Sequence, residues 1–430
     1  MYIVRFPFLI VICCLVAAVF PASAAPNVLF LSADTLRSDY LGCYGHPCET
    51  TPFLDELAGQ SLVFEDCLCE IPLTLPSFGA MLSSLYPRMT GTPRNGLKMP
   101  GDVPLVQEVF QAAGYQTMCV QSNWTLKDRL SRLGRGFDIY DDAFHDKRWG
   151  IIKPERNGKN VTDTALALLA ARDKSKPFFF WVHYSDPHAP YNYHRDLNRT
   201  GKQLWRLNLH DRVRVKYDTE VAYMDGQIAR LFEAVPEDTI VLFVADHGES
   251  LYEHNYLGHG RRIYQTNMRV PLFIRAPGVK PGRTPLPACT IDVGPTLLAL
   301  ASLTAPAGML GRDLINNPPQ PGRMRFLETY GGAVPKLPGA KFLMGGSGPM
   351  RSGVVHDGWK IITGGSQVEL FQIDTDPMEL KNVAKEQPQR VLEFKKLVQA
   401  WQKEHPKGQT QVVPLSDEDK RALQSLGYFE

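Results

Sequence analysis

The chain has little surplus charge of either sign, since its 430 residues carry a formal net charge of only +2. A protein that binds nucleic acid through its electrostatic field needs a basic surplus, so this balance argues against a nucleic-acid partner. Internal repeats and low-complexity tracts are also missing, and 44% of the residues are hydrophobic. A chain of this length and composition can bury a sizeable core.

Long hydrophobic runs are absent beyond residue 25, so no later segment is expected to cross a bilayer. Residues 1–25 have the order of a secretory signal: Arg5 supplies a positive charge, residues 6–20 an apolar stretch, and residues 22–24 a small-residue cleavage site. An uncleaved membrane anchor is the alternative, but the apolar stretch is short for a span. We therefore expect an exported protein, periplasmic or secreted, without a stable membrane span after cleavage.

Cysteines in Cys-x-x-Cys spacing are absent, which argues against a zinc site of that type. The sequence has eight cysteines, and six remain once Cys13 and Cys14 leave with the signal. In an oxidising compartment these six could pair, but the pairing is not readable from the sequence. They are Cys43, Cys48, Cys67, Cys69, Cys119 and Cys289. The Asn-x-Thr sequons headed by Asn123, Asn160 and Asn198 matter only if the source glycosylates proteins.

What the chain does contain is an alternation of short apolar runs and longer helical segments. Near-continuous hydrophobicity over about five or six residues is typical of strands covered on both faces of a parallel sheet. The predicted strands are residues 27–32, 116–120, 177–183, 239–244 and 270–274. The predicted helices are residues 51–60, 103–113, 161–171 and 217–234. This alternation predicts a doubly wound α/β core with a mostly parallel sheet.

A stretch rich in proline and glycine at residues 316–323 is the predicted domain boundary. It divides the chain into a signal peptide at residues 1–25, a catalytic α/β domain at 26–320, and a C-terminal subdomain with its tail at 321–430. Beyond the boundary the apolar runs are shorter and the turns denser, and a terminal helix is predicted near residues 389–404. The C-terminal part is therefore expected to form a smaller α+β subdomain.

Residues 71–87 hold the first candidate for chemistry. Pro76 and Ser77 fit the first turn of a helix, where proline loses no hydrogen bond, so Thr74 is expected just ahead of the helix N-terminus. The unpaired N–H groups and the positive end of the dipole favour an anion there. A hydroxyl at this place could ligate a metal and attack phosphorus or sulfur. The alternative is an ordinary capped helix after a proline-rich turn.

Three of the predicted strands end in side chains suited to chemistry, and ligands of open α/β sheets bind at that edge. Asp34 follows the first strand, His188 the third, and Asp246 with His247 the fourth. Two carboxylates and an imidazole at one edge predict a divalent-metal site with oxygen and nitrogen ligands. A structural role is the alternative for Asp34, as a helix cap, and for His188, as a loop residue between prolines. For His259, in a loop rich in glycine and charge, solvent exposure is the default expectation.

Several of these segments, taken in order, resemble the sulfatase family of the alkaline-phosphatase-like superfamily. The motifs cover nearly the whole mature chain: Asp34-Thr-Leu-Arg-Ser-Asp-Tyr-Leu-Gly-Cys-Tyr-Gly45, Thr51-Pro-Phe-Leu-Asp-Glu-Leu-Ala58, Thr74-Leu-Pro-Ser77 with Leu85-Tyr-Pro87, Ser185-Asp-Pro-His-Ala-Pro-Tyr191, Ala245-Asp-His-Gly-Glu249, Gly258-His-Gly260, Arg269-Val-Pro-Leu272, Asp357-Gly-Trp-Lys360 and residues 370–377. The resemblance implies an alkaline-phosphatase-like fold and an enzyme that hydrolyses or transfers sulfate or phosphate esters.

The chain departs from the family pattern at the nucleophile. Sulfatases of this family carry Cys or Ser in the place of Thr74, and that residue is converted to formylglycine. The β-carbon of threonine bears a methyl group and cannot become this aldehyde. Phe78 stands where the pattern has Arg, Ala33 where many members have a second metal-binding Asp, and His247 where they have Asn. The resulting metal set is similar instead to that of Thr-nucleophile phosphotransferases, such as lipoteichoic acid synthase and phosphoethanolamine transferases.

The resemblance implies one divalent ion, Mn, Zn, Ca or Mg, because the ligands of a second metal are not evident. Its implied ligands are Asp34, Thr74, Asp246 and His247. The implied catalytic groups are the nucleophile Thr74 together with His188 and His259, which would stabilise charge or protonate the leaving oxygen. His188 and Arg37 are the implied contacts to an anionic substrate, with a surface ion pair as the alternative for Arg37.

The expected function is an exported, metal-dependent hydrolase or transferase of sulfate or phosphate esters. Its partner would be an anionic ester of a small molecule, a glycan or a lipid. One alternative is a sulfatase that works without formylglycine, and the other is a non-catalytic relative that binds an anionic ligand. Asp225, within the predicted helix at residues 217–234, is expected to be structural.

Overall fold

The computed structural model describes residues 25–144, 147–148, 151–152, 155–331, 351–365 and 367–426. The predicted signal peptide therefore lies outside the described residues, apart from Ala25. In chain order the strands are β1 Val28–Ala33, β2 Leu62–Phe64, β3 Cys67–Leu68, β4 Leu97–Lys98, β5 Gln116–Val120, β6 Ile139–Asp141, β7 Lys147–Arg148, β8 Ile151–Ile152, β9 Phe178–Tyr184, β10 Ile240–Ala245, β11 Ser250–Leu251, β12 Leu257–Gly258, β13 Arg269–Val270, β14 Leu272–Arg275, β15 Gly282–Thr284, β16 Ala288–Cys289, β17 Arg325–Thr329, β18 Arg351–His356, β19 Trp359–Thr363, β20 Glu369–Gln372 and β21 Gln411–Val412.

The α-helices of the described residues separate most of the longer strands. They are α1 Pro52–Gly59, α2 Thr74–Ser83, α3 Val106–Ala112, α4 Asp128–Ser131, α5 Gly158–Ala171, α6 Leu209–Phe232, α7 Gln265–Met268, α8 Val293–Leu300, α9 Pro388–Glu404 and α10 Asp417–Ser425. None of the described helices combines the length and the apolar composition that a bilayer crossing requires.

The largest sheet has eight strands in the order β15-β2-β14-β10-β1-β9-β5-β6. The run from β10 through β1, β9 and β5 to β6 is parallel, and β1 lies between β10 and β9 with every residue buried. This arrangement confirms the predicted α/β class with a mostly parallel sheet. One strand differs, because β14 pairs antiparallel with β10 rather than parallel. Between these two strands the longest described α-helix is the four-residue α7. A parallel return needs a longer crossover than that, so the chain turns back antiparallel.

The side chains of β9 show why its sequence is apolar at consecutive positions. On one face, the rings of Trp181 and His183 each lie 4.8 Å, centroid to centroid, from Phe78 of α2. On the other face, the hydroxyl of Tyr184 lies 2.9 Å from that of Thr162 in α5. Successive side chains of a strand point to opposite faces. The sheet is therefore covered by helices on both sides, as in a doubly wound fold.

A second sheet, in the order β17-β18-β19-β20, is antiparallel throughout and lies in the C-terminal part of the chain. Its residues alternate between two hydrophobic clusters, so that Val354 and Ile361 pack with Phe394 of α9. Their neighbours Val355 and Ile362 belong to the main core instead. The small α+β subdomain is thus present, and one face of its sheet is continuous with the core of the larger part. The predicted boundary at residue 320 falls in the segment before β17 and stays a prediction.

Candidate metal centre and active site

Two carboxylates and an imidazole meet at the carboxyl edge of the large sheet. Asp34 directly follows β1, and Asp246 with His247 directly follows β10, the parallel neighbour of β1. One ligand atom from each residue lies within 4.8 Å of the others, and all three residues are fully buried. Parallel strands place their carboxyl ends at one edge, which is why residues more than 200 positions apart converge.

Each of the three residues directs an unpaired atom into this cluster. In the described part of the chain, Oδ1 of Asp34, Oδ2 of Asp246 and Nε2 of His247 have no hydrogen-bond partner. The other atoms are occupied. Oδ1 of Asp246 accepts from the N–H groups of Thr35 at 3.0 Å and His247 at 2.7 Å. Nδ1 of His247 lies 3.0 Å from the carbonyl oxygen of Gly248, so it carries the proton and leaves the Nε2 lone pair free.

These buried lone pairs fit a divalent cation. Burial raises the pKa of Asp34 to about 7, against the opposing effects of His188 and Asn123. Burial, and then the charge of Asp34, raises the pKa of Asp246 well above its usual value. Burial, followed by His259, holds the pKa of His247 well below its usual value. Ionised carboxylates are costly in such a site unless a positive charge compensates them. The residues present therefore suit a metal with oxygen and nitrogen ligands.

Gly248 follows the two ligand residues Asp246 and His247, at a place where a side chain would not fit. A β-carbon at this position would lie 2.2 Å from the backbone oxygen of Thr266. The N–H of Gly248 also donates to the carbonyl oxygen of Asn267 at 2.8 Å. Only a residue without a side chain can make this close backbone approach.

Asn123 and His183 belong to the site and were missed by the sequence analysis as candidates. Nδ2 of Asn123 donates to Oδ2 of Asp34 at 2.6 Å. Nε2 of His183 lies 3.9 Å from the same oxygen, while its Nδ1 is 3.0 Å from the hydroxyl of Ser32. Burial lowers the pKa of His183 to about 3, so this imidazole is neutral. His183 sits inside an apolar strand and Asn123 heads a sequon, and neither setting signals a contact with Asp34.

The nucleophile candidate Thr74 is fully buried at the start of α2. The helix begins earlier than predicted, because the N–H of Ser77 already donates to the carbonyl of Leu73 at 2.9 Å. Thr74 is therefore the first helical residue instead of the residue ahead of the helix. The hydroxyl of Ser77 donates to the carbonyl oxygen of Asp246 at 2.7 Å. Residues three apart share a helix face, so Thr74 lies on the face of α2 that contacts the Asp246 segment.

His188 and His259 extend the cluster as a row of imidazoles. The ring centroid of His259 lies 4.6 Å from that of His247 and 5.1 Å from that of His188. The His259 side chain is only 8% exposed, so the expectation of solvent exposure is wrong. Its Nδ1 lies 3.2 Å from Oε1 of Glu249, a carboxylate buried beside it.

The imidazoles of His188 and His259 differ in charge. Burial opposes protonation of His188, but Glu155, 2.5 Å from its Nδ1, and then Asp34 outweigh this and raise its pKa to about 10. Burial and the neighbouring His188 hold the pKa of His259 well below its usual value. At neutral pH the site thus combines a cationic His188 with a neutral His259.

Arg37 lies beside this site with its guanidinium directed into ion pairs. Its donors reach Asp39 at 2.7 Å, Glu253 at 3.0 Å and the carbonyl oxygen of Glu249 at 3.2 Å. A substrate contact by Arg37 stays a prediction. The structural role expected for Asp225 is confirmed, because its two carboxylate oxygens accept from the first N–H groups of α1 at 2.8 and 3.1 Å.

The chain matches a known protein family over more than half of its length. The family model described as Sulfatase matches residues 26–303, which is more than half of the chain. The chain belongs to the sulfatase family. One of its curated relatives is the Ulvan-active sulfatase of Formosa agariphila, 26% identical over 366 residues that cover 73% of this chain and 70% of the relative.

Solved sulfatase-like structures share the fold of this family member. The phosphonate monoester hydrolase of Agrobacterium radiobacter has a TM-score of 0.73 at 19% identity and covers 92% of this chain and 99% of its own. A structure solved in complex with its substrate D-glucosamine-2-N,6-O-disulfate has a TM-score of 0.70 at 19% identity, covering 89% and 98%. The family and the alkaline-phosphatase-like fold implied by the resemblance are therefore confirmed. The roles of the individual residues stay predictions.

Proposed function

We propose that this sulfatase-family protein is a metal-dependent hydrolase or transferase of sulfate or phosphate esters that uses Thr74 as its nucleophile. The observation that carries the proposal is the fully buried cluster of Asp34, Asp246 and His247, whose free lone pairs converge next to the first turn of α2. We further propose export through residues 1–25, a catalytic part at 26–320, and a C-terminal part at 321–430.

One divalent ion, Mn, Zn, Ca or Mg, would be held by Asp34, Asp246 and His247 together with the hydroxyl of Thr74. When bound, such an ion supplies Lewis-acid charge that favours an ionised oxygen. The chain adds to this effect, because Thr74 lies at the positive end of the α2 dipole, where an anionic oxygen is stabilised. The Thr74 oxygen would attack the sulfur or phosphorus of the ester as the bond to the alcohol oxygen breaks. Water or another acceptor would then displace the Thr74 oxygen from the covalent product. No aldehyde is required, since threonine cannot form one.

His188 and His259 have different proposed roles because their charges differ. The cationic His188 neutralises negative charge on the transferred group, and Glu155 keeps it protonated. The neutral His259, oriented by Glu249, would take up the proton that the Thr74 hydroxyl releases and deliver it to the leaving oxygen. Arg37 would provide a further contact to the anionic substrate if one of its ion pairs opened.

The names of two similar proteins support esters of sulfur and of phosphorus as substrates. The Ulvan-active sulfatase bears a sulfate-ester activity in its name, and the hydrolase of similar fold is named for phosphonate monoesters. We propose that the substrate here is an anionic ester of a small molecule, glycan or lipid. A sulfatase that works without formylglycine is one form of this proposal.

The test is turnover of an aryl sulfate, an aryl phosphate and a phosphodiester by protein lacking residues 1–25, with each of the four metals in turn. Thr74→Val matches the shape of threonine and removes the hydroxyl, whereas Thr74→Ser keeps it. We expect activity in the native protein and in Thr74→Ser, and a loss of at least about 10³-fold in Thr74→Val, as for other nucleophile removals. Activity that survives in Thr74→Val would overturn the nucleophile assignment.

A non-catalytic relative is the second candidate, and Phe78 favours it. This residue takes the place of the family's Arg and is fully buried against Trp181 and His183, so it offers no charge to a substrate. A protein that binds a metal ion through Asp34, Asp246 and His247 and turns over none of the esters would support this candidate. Asp246→Ala should lower the metal content by one ion per chain under either function, and an unchanged metal content would contradict the proposed ligand set.

A further inference from the structure

A second group of potential ligands lies apart from the cluster of Asp34, Asp246 and His247. His46 and Cys48 belong to the loop before α1, and Asp218 lies on α6. One ligand atom from each lies within 4.8 Å of the others. The three residues therefore bring a nitrogen, a sulfur and an oxygen donor to one place on the protein.

The hydrogen bonds of His46 leave its Nε2 beside a carboxylate oxygen of Asp218. Its Nδ1 lies 3.2 Å from the backbone oxygen of Asp39, and a carbonyl can only accept, so Nδ1 carries a proton. Its Nε2 lies 2.8 Å from Oδ1 of Asp218. With Nδ1 as the donor, Nε2 is the ring atom available as a metal ligand, and it lies beside a carboxylate oxygen that is a second potential ligand. A backbone carbonyl that orients the opposite ring nitrogen is a frequent companion of metal-binding histidines.

Asp218 supplies a second, independent indication of a ligand. Its side chain is only 3% exposed, and in the described part of the chain its Oδ2 has no hydrogen-bond partner. A buried carboxylate oxygen without a donor is costly, so it calls for a cation or a donor that the neighbouring residues do not supply. Cys48 is half-buried, so its thiol is not closed off from solvent.

We propose that His46, Cys48 and Asp218 form a second metal site that binds Zn²⁺ or a similar borderline transition-metal ion. A thiolate, an imidazole and a carboxylate are all zinc ligands, whereas Mg²⁺ and Ca²⁺ select oxygen donors. Three protein ligands leave a fourth position for water. The thiolate and the carboxylate together carry the two negative charges that balance a divalent ion.

The proposed second metal site lies next to contacts that position residues beside the active centre. Asp218 follows Tyr217, whose hydroxyl accepts from the N–H of Arg37 at 2.9 Å and donates to the carbonyl of Thr35 at 2.7 Å. An ion held between the loop and α6 would tie together the two segments that support this contact. Metal at this site should therefore raise the unfolding temperature separately from metal at the catalytic cluster.

Cobalt distinguishes the two sites, because only a site with a cysteine gives thiolate-to-cobalt charge-transfer absorption in the near ultraviolet. The protein without residues 1–25 is titrated with Co²⁺ under reducing conditions. In Asp246→Ala, which lacks a ligand of the other site, we expect this absorption to saturate at one Co²⁺ per chain and to disappear on addition of one equivalent of Zn²⁺. It should be lost in Cys48→Ser and strongly weakened in Asp218→Asn.

Two control variants make the outcome decisive. Cys43→Ser removes another half-buried thiol from the same loop region, and Asp246→Ala removes a ligand of the catalytic cluster. Both should keep the charge-transfer absorption, and thermal unfolding should show that every variant is folded. The proposal is overturned if the native protein shows no such absorption after two Co²⁺ ions per chain have been added. It is equally overturned if the absorption persists in Cys48→Ser or disappears in Cys43→Ser.

Discussion

Asn123 is the residue that fixes one oxygen of Asp34, and replacing it tests how far the metal centre depends on this support. In Asn123→Ala the 2.6 Å hydrogen bond to Asp34 Oδ2 is lost, so the carboxylate can rotate away from its partners. We expect metal affinity to fall by about 10- to 100-fold, as for other groups that orient metal ligands. Isothermal titration with Mn²⁺ or Zn²⁺ measures this directly.

Asn198 provides the matched control for this substitution. Like Asn123, which accepts from Thr125, it heads an Asn-x-Thr triplet and accepts from both the N–H and the hydroxyl of Thr200. Asn198→Ala removes the same local turn and should leave metal affinity unchanged. An equal loss of affinity in both variants would mean that the effect comes from the turn rather than from Asp34.

Glu155 should set the alkaline limit of activity through His188. It lies 2.5 Å from Nδ1 of His188 and is the main charge that raises the pKa of that imidazole to about 10, against the effect of burial. A group with a raised pKa keeps its proton up to that pH and loses it above. In Glu155→Gln the alkaline limb of the kcat/KM profile should therefore move down by about 1–3 pH units. A profile that does not move would show that cationic His188 is not needed.

The metal-ligand candidates were predictable from the sequence, but the residues that hold Asp34 in place were not. Asp34, Asp246 and His247 follow apolar strands, and the rule that parallel strands end at one edge is enough to bring them together. Asn123, in the loop after β5, and His183, on β9, reach Asp34 through contacts 89 and 149 positions apart in sequence. Nothing local marks such partners, because their types are equally common in turns and in cores.

At the scale of elements, the C-terminal helix α10 is held beside the active-centre loop by one carboxylate. Oδ1 of Asp419 accepts from Nε1 of Trp124 at 3.0 Å, and Oδ2 accepts from Arg129 at 2.5 Å. Burial opposes ionisation of Asp419, but these bonds and those from Ser416 hold its pKa well below the usual value. Trp124 is the neighbour of Asn123, so the docking of α10 supports the loop that reaches Asp34.

A lowered carboxylate pKa stabilises the fold above the pKa of the unfolded chain, about 3.9 for Asp, and this stability is lost as pH falls below it. We therefore expect α10 to detach between about pH 4 and pH 2, before or together with global unfolding. Fluorescence of Trp124 and limited proteolysis after residue 412 report this step. In Asp419→Asn the helix should be detached more readily at neutral pH and show little further dependence on acid. An unaltered acid transition in this variant would contradict the assignment.

The main strands of the large sheet were predictable because each is a nearly continuous run of apolar residues. The strands at β1, β5, β9 and β10 were predicted to within one residue at each end. The errors arose where local pattern does not determine the outcome. The direction of β14 depends on the lack of a long crossover before it, and the first turn of α2 depends on a bond from Ser77 to Leu73.

At the scale of the whole molecule, a buried ion pair joins the C-terminal sheet to the larger part. Nζ of Lys360, on β19, lies 2.7 Å from Oε1 of Glu379, and both side chains are at most 1% exposed. Oε2 of Glu379 accepts from the N–H of Gln265 at 2.5 Å, at the start of α7. The pair therefore lies where the two parts of the chain share their core.

Replacing one member of this ion pair should lower the free energy of unfolding more than replacing both. Lys360→Met leaves an uncompensated buried carboxylate, and we expect a loss of about 3–5 kcal/mol in the free energy of unfolding. The double variant Lys360→Met with Glu379→Gln carries no charge and should recover most of that loss. Urea unfolding measures both values. A double variant that is no more stable than the single one would place the cost in packing rather than in charge.

The burial of Asn123 has a consequence for the production of this protein. Asn123 is fully inaccessible in the fold, yet it heads a sequon that oligosaccharide-attaching hosts recognise on the nascent, still unfolded chain. A sugar attached there could not fit beside Asp34, and the glycosylated molecules would be unable to close the active centre. The half-buried Asn198 lies in a surface loop and would tolerate such a sugar. Secretion from a eukaryotic host should therefore yield an inactive, Asn123-glycosylated fraction that bacterial expression avoids.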